Sequence, residues 1–210
     1  CYGSRSGGGQ YVTFNRCRLI DNYGASTGAA GRNCSYYKNY IVGCSGNARS
    51  MQETTWFVNS TYDVDENDAA TVRNLFEGGN ARIENSVFLQ PNSILSSYVT
   101  SASNSVFVTG SGISLASAKC GNVRTNTLEE IALDAVTRVP TAASCLVDAG
   151  NTAMVERIGD LDCDCSQRVY NGAIDIGAFE HDWRAEYCKD LGRHATAVTA
   201  ASPEVVETED

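Results

Sequence analysis

The chain has 210 residues, the size of one domain with a short extension, and its 42% of hydrophobic residues is enough for a core. No stretch approaches the roughly 18 to 20 uninterrupted apolar residues that span a bilayer, so we expect no membrane span. The formal net charge of −9 repels phosphate backbones, so we expect no nucleic-acid partner, and it disfavours polyanionic glycans unless a local basic patch exists.

An internal repeat dominates the first half of the chain. Five segments begin with Asn and continue into a short apolar strand, and they start at Asn15, Asn39, Asn59, Asn85 and Asn104, in steps of 24, 20, 26 and 19 residues. Periods of this length are typical of solenoids, in which stacked turns bury a continuous core. Asn suits a sharp bend because it tolerates the left-handed backbone conformation, and its amide can bond to Asn in the next turn. We prefer a parallel β-helix to the alternative, a β-sandwich.

Three tyrosines in the second repeat are candidates for stacking against sugar rings. They are Tyr36, Tyr37 and Tyr40. Side chains alternate along a strand, so not all three can face outward. Packing in the core or at a sheet edge is the alternative role.

An acidic run in the longest repeat is the candidate metal site. The oxygen ligands of this run have the spacing found at the start of a calcium-binding loop. They belong to Asp63, Asp65, Asn67 and Asp68. The pattern then fails, because its sixth position is Asp68 instead of Gly and its twelfth is Asn74 instead of Glu. Calcium, held by Asp63, Asp65 and Asp68, is the one cofactor that we predict; the alternative is a solvated acidic loop.

One stretch breaks the rhythm of the strands. The residues Thr127-Leu-Glu-Glu130 have the form of a capping box, with apolar residues following at helical spacing, and this predicts a short helix at 127–137. Strand and turn signals return after it. The stretch from about 195 to 210 is rich in Ala, Thr and Glu, and we assign 183–210 as a tail or a linker to a further domain.

Two ordered elements follow the repeat region, Ser144-Cys-Leu-Val-Asp-Ala-Gly-Asn151 and Arg168-Val-Tyr-Asn-Gly-Ala-Ile-Asp-Ile-Gly-Ala-Phe-Glu180. They are similar to the Ser-Pro-Cys-Ile-Asp-Ala-Gly-Asn and Val-Asp-Ile-Gly-Ala-Tyr-Glu elements of one protein family. This part of the chain therefore resembles bacterial right-handed β-helix proteins with the ending called choice-of-anchor Q. The resemblance implies an all-β, right-handed parallel β-helix over 1–182, a C-terminal cap at about 144–182, and a secreted or cell-surface protein. It implies no reaction, because this fold hosts many functions.

The segment between these two elements departs from the family pattern. Cys163-Asp-Cys-Ser-Gln167 stands where the family has Gly-Asn-Pro. Three aspartates alternate here, Asp160, Asp162 and Asp164, and the repulsion between them has to be relieved. We expect Arg168 to pair with them, and the alternatives are Arg157, a bound cation or a turn.

Nine cysteines leave at least one thiol unpaired within a monomer. No pair has the spacing of a zinc site, so we expect buried thiols and one or two disulfides. The unusual Cys163–Cys165 spacing makes one of them a candidate for a special disulfide.

The predicted function is a non-catalytic extracellular or cell-surface scaffold, which serves as a stalk, an adhesin or a glycan-binding module. The alternative is a fragment of a secreted polysaccharide lyase or glycoside hydrolase, which would place paired carboxylates and a basic residue on one exposed face. The expected partner is a polysaccharide or a cell-surface glycan. The chain starts at Cys1 inside the repeat pattern, so we also expect missing upstream turns or end-to-end self-association.

Overall fold

A computed structural model of the protein describes residues 2–3, 8–24, 30–46, 49–54, 56–63, 73–77, 80–91, 93–95, 99–110, 112–113, 119–170 and 172–181. The strands are β1 (Tyr2–Gly3), β2 (Thr13–Asn15), β3 (Arg18–Ile20), β4 (Tyr23–Gly24), β5 (Gly31–Arg32), β6 (Ser35–Tyr37), β7 (Tyr40–Val42), β8 (Ser45–Gly46), β9 (Arg49–Gln52), β10 (Trp56–Val58), β11 (Thr61–Tyr62), β12 (Arg73–Glu77), β13 (Ala81–Glu84), β14 (Val87–Phe88), β15 (Ser93–Leu95), β16 (Val99–Val108), β17 (Gly112–Ile113) and β18 (Lys119–Asn126). The helices are α1 (Leu128–Ile131), a 3₁₀ turn (Thr152–Met154) and α2 (Val155–Ile158).

The strands pair in parallel with their equivalents one coil further along the chain, which makes the protein a parallel β-helix. The first column stacks β2, β6, β10, β13 and the first halves of β16 and β18, and the second stacks β3, β7, β11, β14 and the second halves of β16 and β18. The third column stacks β5, β9, β12, β15 and β17. The predicted all-β solenoid is therefore confirmed, and each coil pairs its backbone groups with the coils next to it.

A residue in the left-handed conformation turns the chain between the first and second columns in every coil. In the later coils it is Asn59, Asn85, Asn104 or Asn122, with φ of 45°, 46°, 44° and 54°. The predicted bonds between such residues form, since the amide of Asn85 donates to Asn59 at 3.4 Å. In the first two coils the position belongs to Arg16 and Lys38, with φ of 54° and 56°, and not to the predicted neighbours Asn15 and Asn39. A cationic side chain therefore leaves each of these corners.

The residue after the corner forms a ladder of side-chain bonds. The Ser60 hydroxyl accepts from the Asn39 N–H at 3.1 Å, and the Ser86 hydroxyl accepts from the Ser60 N–H at 3.2 Å. The Ser105 hydroxyl accepts from the Ser86 N–H at 3.1 Å. These bonds satisfy backbone donors that the bend removes from strand pairing.

The interior of the coils is packed with stacked aromatic rings. Tyr36 stacks on Phe14 at 5.4 Å between ring centroids, and Phe88 stacks on Phe107 at 4.8 Å. These distances are close to the roughly 4.8 Å between neighbouring strands, because each ring is carried by the strand above or below. Burial of such rings stabilises the fold by about 1.5 to 3 kcal/mol each.

The C-terminal segment, defined here as residues 127–170 and 172–181, packs along the side of the coils. Hydrogen bonds that join it to them include, in chain order, Arg124 to the Cys145 carbonyl, Asn151 to Asn85, Lys38 to the Ile158 carbonyl, Asp164 to Arg18 and Ala178 to Thr61. The partners range from the first coil to the last. The described residues of the cap predicted at 144–182, which are 144–170 and 172–181, thus lie along the side of the coils.

A second apolar layer lies between this segment and the outward face of the second column. Its buried members from the coils are Tyr40, Val87, Leu89, Val106 and Val108, and those from the segment are Ile131, Leu146, Cys163, Ile176, Ala178 and Phe179. The second column is thus apolar on both faces, as expected of a parallel sheet that is covered on both sides.

The predicted helix at 127–137 is shorter in the structure. The capping box forms, since Thr127 accepts from the Glu130 N–H at 3.2 Å and the Glu130 carboxylate accepts from the Thr127 N–H at 2.8 Å. The helix ends after one turn because Ala132 adopts the left-handed conformation, with φ of 44°. The Asp134 carboxylate then accepts from the Thr137 N–H at 2.7 Å and folds the following residues into a turn.

Six cysteines have described side chains: Cys17, Cys34, Cys44, Cys145, Cys163 and Cys165. No disulfide joins any two of them, so the special disulfide expected around Cys163 and Cys165 does not form within this set. The side chains of Cys1, Cys120 and Cys188 lie outside the described residues. Among the helices that the structure describes, none is long and apolar enough to cross a membrane.

Candidate binding face beside the C-terminal segment

The three tyrosines proposed for sugar stacking have different surroundings. Tyr36 points into the core and is 0% exposed, and Tyr40 is 7% exposed because Phe179 of the C-terminal segment covers it at 5.5 Å. Only Tyr37 is partly exposed, on the outward face of the first column. Tyr36 and Tyr40 therefore have the alternative role, packing in a core. Neither ring has a face that a ligand could contact.

The first calcium candidate, Asp63, is bound to a cation of the protein itself. Its buried carboxylate accepts from Arg138 Nε at 2.6 Å and also from the Tyr40 hydroxyl. Asp65 and Asp68 lie outside the described residues. Calcium binding by this run stays a prediction, and a calcium ion bound to Asp63 would compete with Arg138.

The three alternating aspartates separate into three different roles. Asp162 closes a turn, because its carboxylate accepts from the N–H groups of Asp164 and Ser166 at 2.9 and 2.8 Å. Asp164 pairs with Arg18, and Asp160 is exposed. The expected partner of these aspartates, Arg168, is buried and pairs with Glu180 at 3.0 Å instead.

Trp56 is the centre of an aromatic and cationic cluster on the outward face of the first column. The guanidinium carbon of Arg157 lies 3.8 Å from the centre of its ring, and that of Arg82 lies at 4.9 Å. Arg82 is next to Trp56 in register on the neighbouring strand, whereas Arg157 comes from α2 in the C-terminal segment. Both guanidinium groups are attracted to the electron-rich face of the indole.

A cleft opens between α2 and the two cationic corners. It has a volume of about 220 Å³ and is lined by Asn15, Arg16, Lys38, Ile158, Gly159, Asp160 and Leu161. The main-chain carbonyl of Ile158 accepts a hydrogen bond from Lys38 Nζ, which ties the end of α2 to the corner. Arg157 precedes Ile158, so the cleft and the Trp56 cluster adjoin. We call Arg16, Lys38, Trp56, Arg82 and Arg157 together the cationic strip.

Lys38 is unusually buried for a lysine, with only 3% of its surface exposed. Burial lowers the pKa of Lys38, and the neighbouring charges of Arg16 and Arg168 lower it further. Asp160 and Asp162 oppose this effect. Burial is the largest cause of the lowered pKa of Lys38, and neighbouring charges of both signs act on it.

The cations of the strip differ in their partners from four other arginines with described side chains, whereas a fifth, Arg124, donates to the Cys145 carbonyl. Arg18, Arg32, Arg138 and Arg168 each pair with a carboxylate. Arg16, Lys38, Arg82 and Arg157 have no carboxylate within 4.0 Å among the described residues. The strip therefore presents four positive charges that the described part of the chain does not neutralise by direct pairing.

The chain matches no protein-family model and no curated protein. The function therefore has to be argued from the strip itself. Sequence reasoning missed its members because they come from four coils and a helix that are far apart in the chain. One signal could have found two of them: Arg16 and Lys38 stand at the corner position that Asn fills in later coils.

Proposed function

We propose that the protein is a non-catalytic β-helix scaffold, secreted or displayed on a bacterial cell surface, that binds an acidic glycan along the cationic strip. The observation that carries this proposal is the group of four cations without carboxylate partners on one face of a chain with a net charge of −9. Such a local patch is the condition under which an acidic chain binds a polyanion. The bacterial surface location rests on the resemblance of residues 144–180 to choice-of-anchor Q endings.

An acidic polysaccharide suits this face better than a nucleic acid does. The strip follows stacked strands, so it repeats polar and aromatic side chains at roughly 4.8 Å along the helix axis, as an extended polymer requires. Duplex DNA carries one charge per roughly 1.7 Å, and the acidic remainder of the surface would repel that dense charge. A polyuronate carries one charge per sugar and can be bound locally.

The test is binding of the purified chain to immobilised polysaccharides, with polygalacturonate, its methyl ester, a neutral galactan and duplex DNA compared side by side. We expect retention on polygalacturonate that weakens with added salt and is lost in the variant Arg82→Gln/Arg157→Gln. The variant Arg32→Gln removes a cation outside the strip and is the matched control. Equal retention on the methyl ester, or stronger retention on DNA, would contradict the proposal.

A lyase or hydrolase fragment is the second candidate, and the observation that favours it is Lys38. A lysine with a lowered pKa that lines a cleft can act as a general base. The measurement is release of new reducing ends and of unsaturated products from the same polysaccharides, with and without calcium. Product formation that is lost in Lys38→Met would replace the scaffold by the enzyme, and calcium dependence would lead to variants of Asp63, Asp65 and Asp68.

End-to-end self-association stays a prediction. The strands β2 and β3 end their columns at the first coil, and Tyr11 and Ile20 beside them are 75% and 49% exposed. Unpaired strand edges attract other strands. Sedimentation across a range of concentrations checks it: a single monomeric species throughout would refute association.

A further inference from the structure

We propose that the cleft between Arg16, Lys38 and α2 is a binding site for one anionic group of an acidic ligand, a carboxylate of a uronic acid or a sulfate ester. This inference rests on the proposed function, because it assigns the point at which the acidic glycan is held. The site consists of Arg16 and Lys38. The other members of the strip, Trp56, Arg82 and Arg157, would contact the rest of the glycan.

The first argument is the charge of the cleft. Its lining contains two cations, Arg16 and Lys38, and one carboxylate, Asp160. The lining therefore has an excess of one positive charge in a chain whose net charge is −9. A single anionic group would neutralise it.

The second argument is the hydrogen-bonding capacity that remains in the cleft. An ammonium group has three N–H donors, and Lys38 uses one of them on the Ile158 carbonyl. The Arg16 guanidinium contacts only the sulfur of Cys165, at 3.7 Å, which is a weak acceptor. In the described residues no other side chain accepts from these two groups. Anions are the ligands that such donors bind most strongly.

The third argument is the arrangement of the backbone. At the corner between the first two columns, Asn takes the left-handed conformation in the later coils, but Arg16 and Lys38 take it in the first two. This conformation costs long side chains about 1 to 2 kcal/mol. Both cations line the cleft, and Ile158, Gly159 and Leu161 form further parts of its wall.

The size of the cleft fits one sugar or one pendant group. Its volume of about 220 Å³ is below the roughly 300 to 1,000 Å³ of pockets for drug-sized ligands. Ile158 and Leu161 provide apolar surface for the face of a sugar ring, and the Asn15 amide lies beside the cations. A polysaccharide would therefore place a single sugar unit in the cleft, and its neighbouring units would extend over the strip.

The experiment is calorimetric titration of the whole chain with three short oligosaccharides: an oligogalacturonate, the matching neutral oligogalactose and a sulfated oligogalactose. We expect Arg16→Gln and Lys38→Met each to weaken binding of the charged ligand about tenfold. Arg32→Gln removes a cation from another face and leaves the affinity unchanged. Preference for the oligogalacturonate identifies a uronate carboxylate as the group, and preference for the sulfated ligand identifies a sulfate ester.

A variant that binds the ligand more tightly distinguishes a specific effect on the site from general misfolding. Asp160→Asn removes the one carboxylate of the cleft and should tighten binding several-fold, which a misfolded variant cannot do. Glu129→Gln changes the net charge equally at an exposed position on α1 and should have no effect.

The possible failures are distinguishable. Normal affinity in Arg16→Gln and Lys38→Met, with loss in Arg82→Gln/Arg157→Gln, would overturn this inference and leave the proposed function standing. Equal binding of the neutral ligand would also overturn it. If the unaltered chain binds no oligosaccharide and no polysaccharide, both proposals fall.

Discussion

Arg168 is a fully buried arginine whose guanidinium lies 3.0 Å from the carboxylate of Glu180. Burial raises the pKa of Glu180 to about 9, although Arg168 acts to lower it. The folded protein thus releases this proton at a higher pH than the unfolded chain, for which the ordinary value is 4.5. Between these two values the folded state binds more protons, so the free energy of unfolding falls as pH rises. Urea unfolding midpoints across this window should therefore decrease with pH.

The variant Glu180→Gln tests the assignment, because it keeps an oxygen that can accept from the Asp175 N–H but removes the titration. Its midpoint should depend less steeply on pH than that of the unaltered chain. Burial also raises the pKa of Asp162 and of Asp175, so part of the dependence should remain. Glu129→Gln is the exposed control and should keep the full slope. A midpoint that rises with pH in the unaltered chain would refute the argument.

At the scale of elements, the serine ladder behind the corner supports a prediction. Ser86→Ala removes the acceptor of the Ser60 N–H and leaves that donor buried without its partner. A buried unsatisfied donor costs about 1 to 3 kcal/mol, and the urea midpoint should fall accordingly. Ser101→Ala, on the outward face of the same stack of strands, is the control and should change stability by less than about 0.5 kcal/mol. Similar losses in both variants would show that the ladder has no special role.

The same corner shows what the sequence could and could not predict. The five Asn residues gave the period and three of the corners, Asn59, Asn85 and Asn104, because Asn is a residue that tolerates the left-handed conformation. In the first two coils the sequence predicted corners at Asn15 and Asn39, each of which is one residue away from the observed corner. Arg16 and Lys38 have no general preference for this conformation, so no local rule could place them there.

The position of the C-terminal segment was beyond local patterns as well. Its motifs predicted turns and an end to the repeat, and they carry no information about which surface they cover. The apolar outward residues of the second column, such as Val87 and Val106, were the available signal. They lie on either side of the inward residues, so the runs Val87-Phe-Leu89 and Val106-Phe-Val108 are apolar on both faces. This pattern indicates a strand covered on both sides.

At the scale of the whole molecule, the protein has two apolar layers, one inside the coils and one beneath the C-terminal segment. The coils pair their backbones with one another, whereas the segment is held by side chains and scattered hydrogen bonds. Regions with few backbone pairings open at lower free energy than the body of a fold. The segment should therefore open before the coils, and it should take α2 and its share of the cationic strip with it.

The variant Ile176→Asp tests this order, since Ile176 is 0% exposed within the layer beneath the segment and a charge there has no partner. We expect fast hydrogen exchange and proteolytic cleavage in residues 127–181, binding of a hydrophobic dye to the uncovered second column, and weaker glycan binding. Exchange in the coils should stay slow, and the β-sheet circular dichroism should be retained. Phe88→Ala is the matched variant inside the coils, and it should lower the protection of both parts together. If Ile176→Asp unfolds the coils as well, the two layers form one cooperative unit, and the segment cannot move independently of the face that it helps to build.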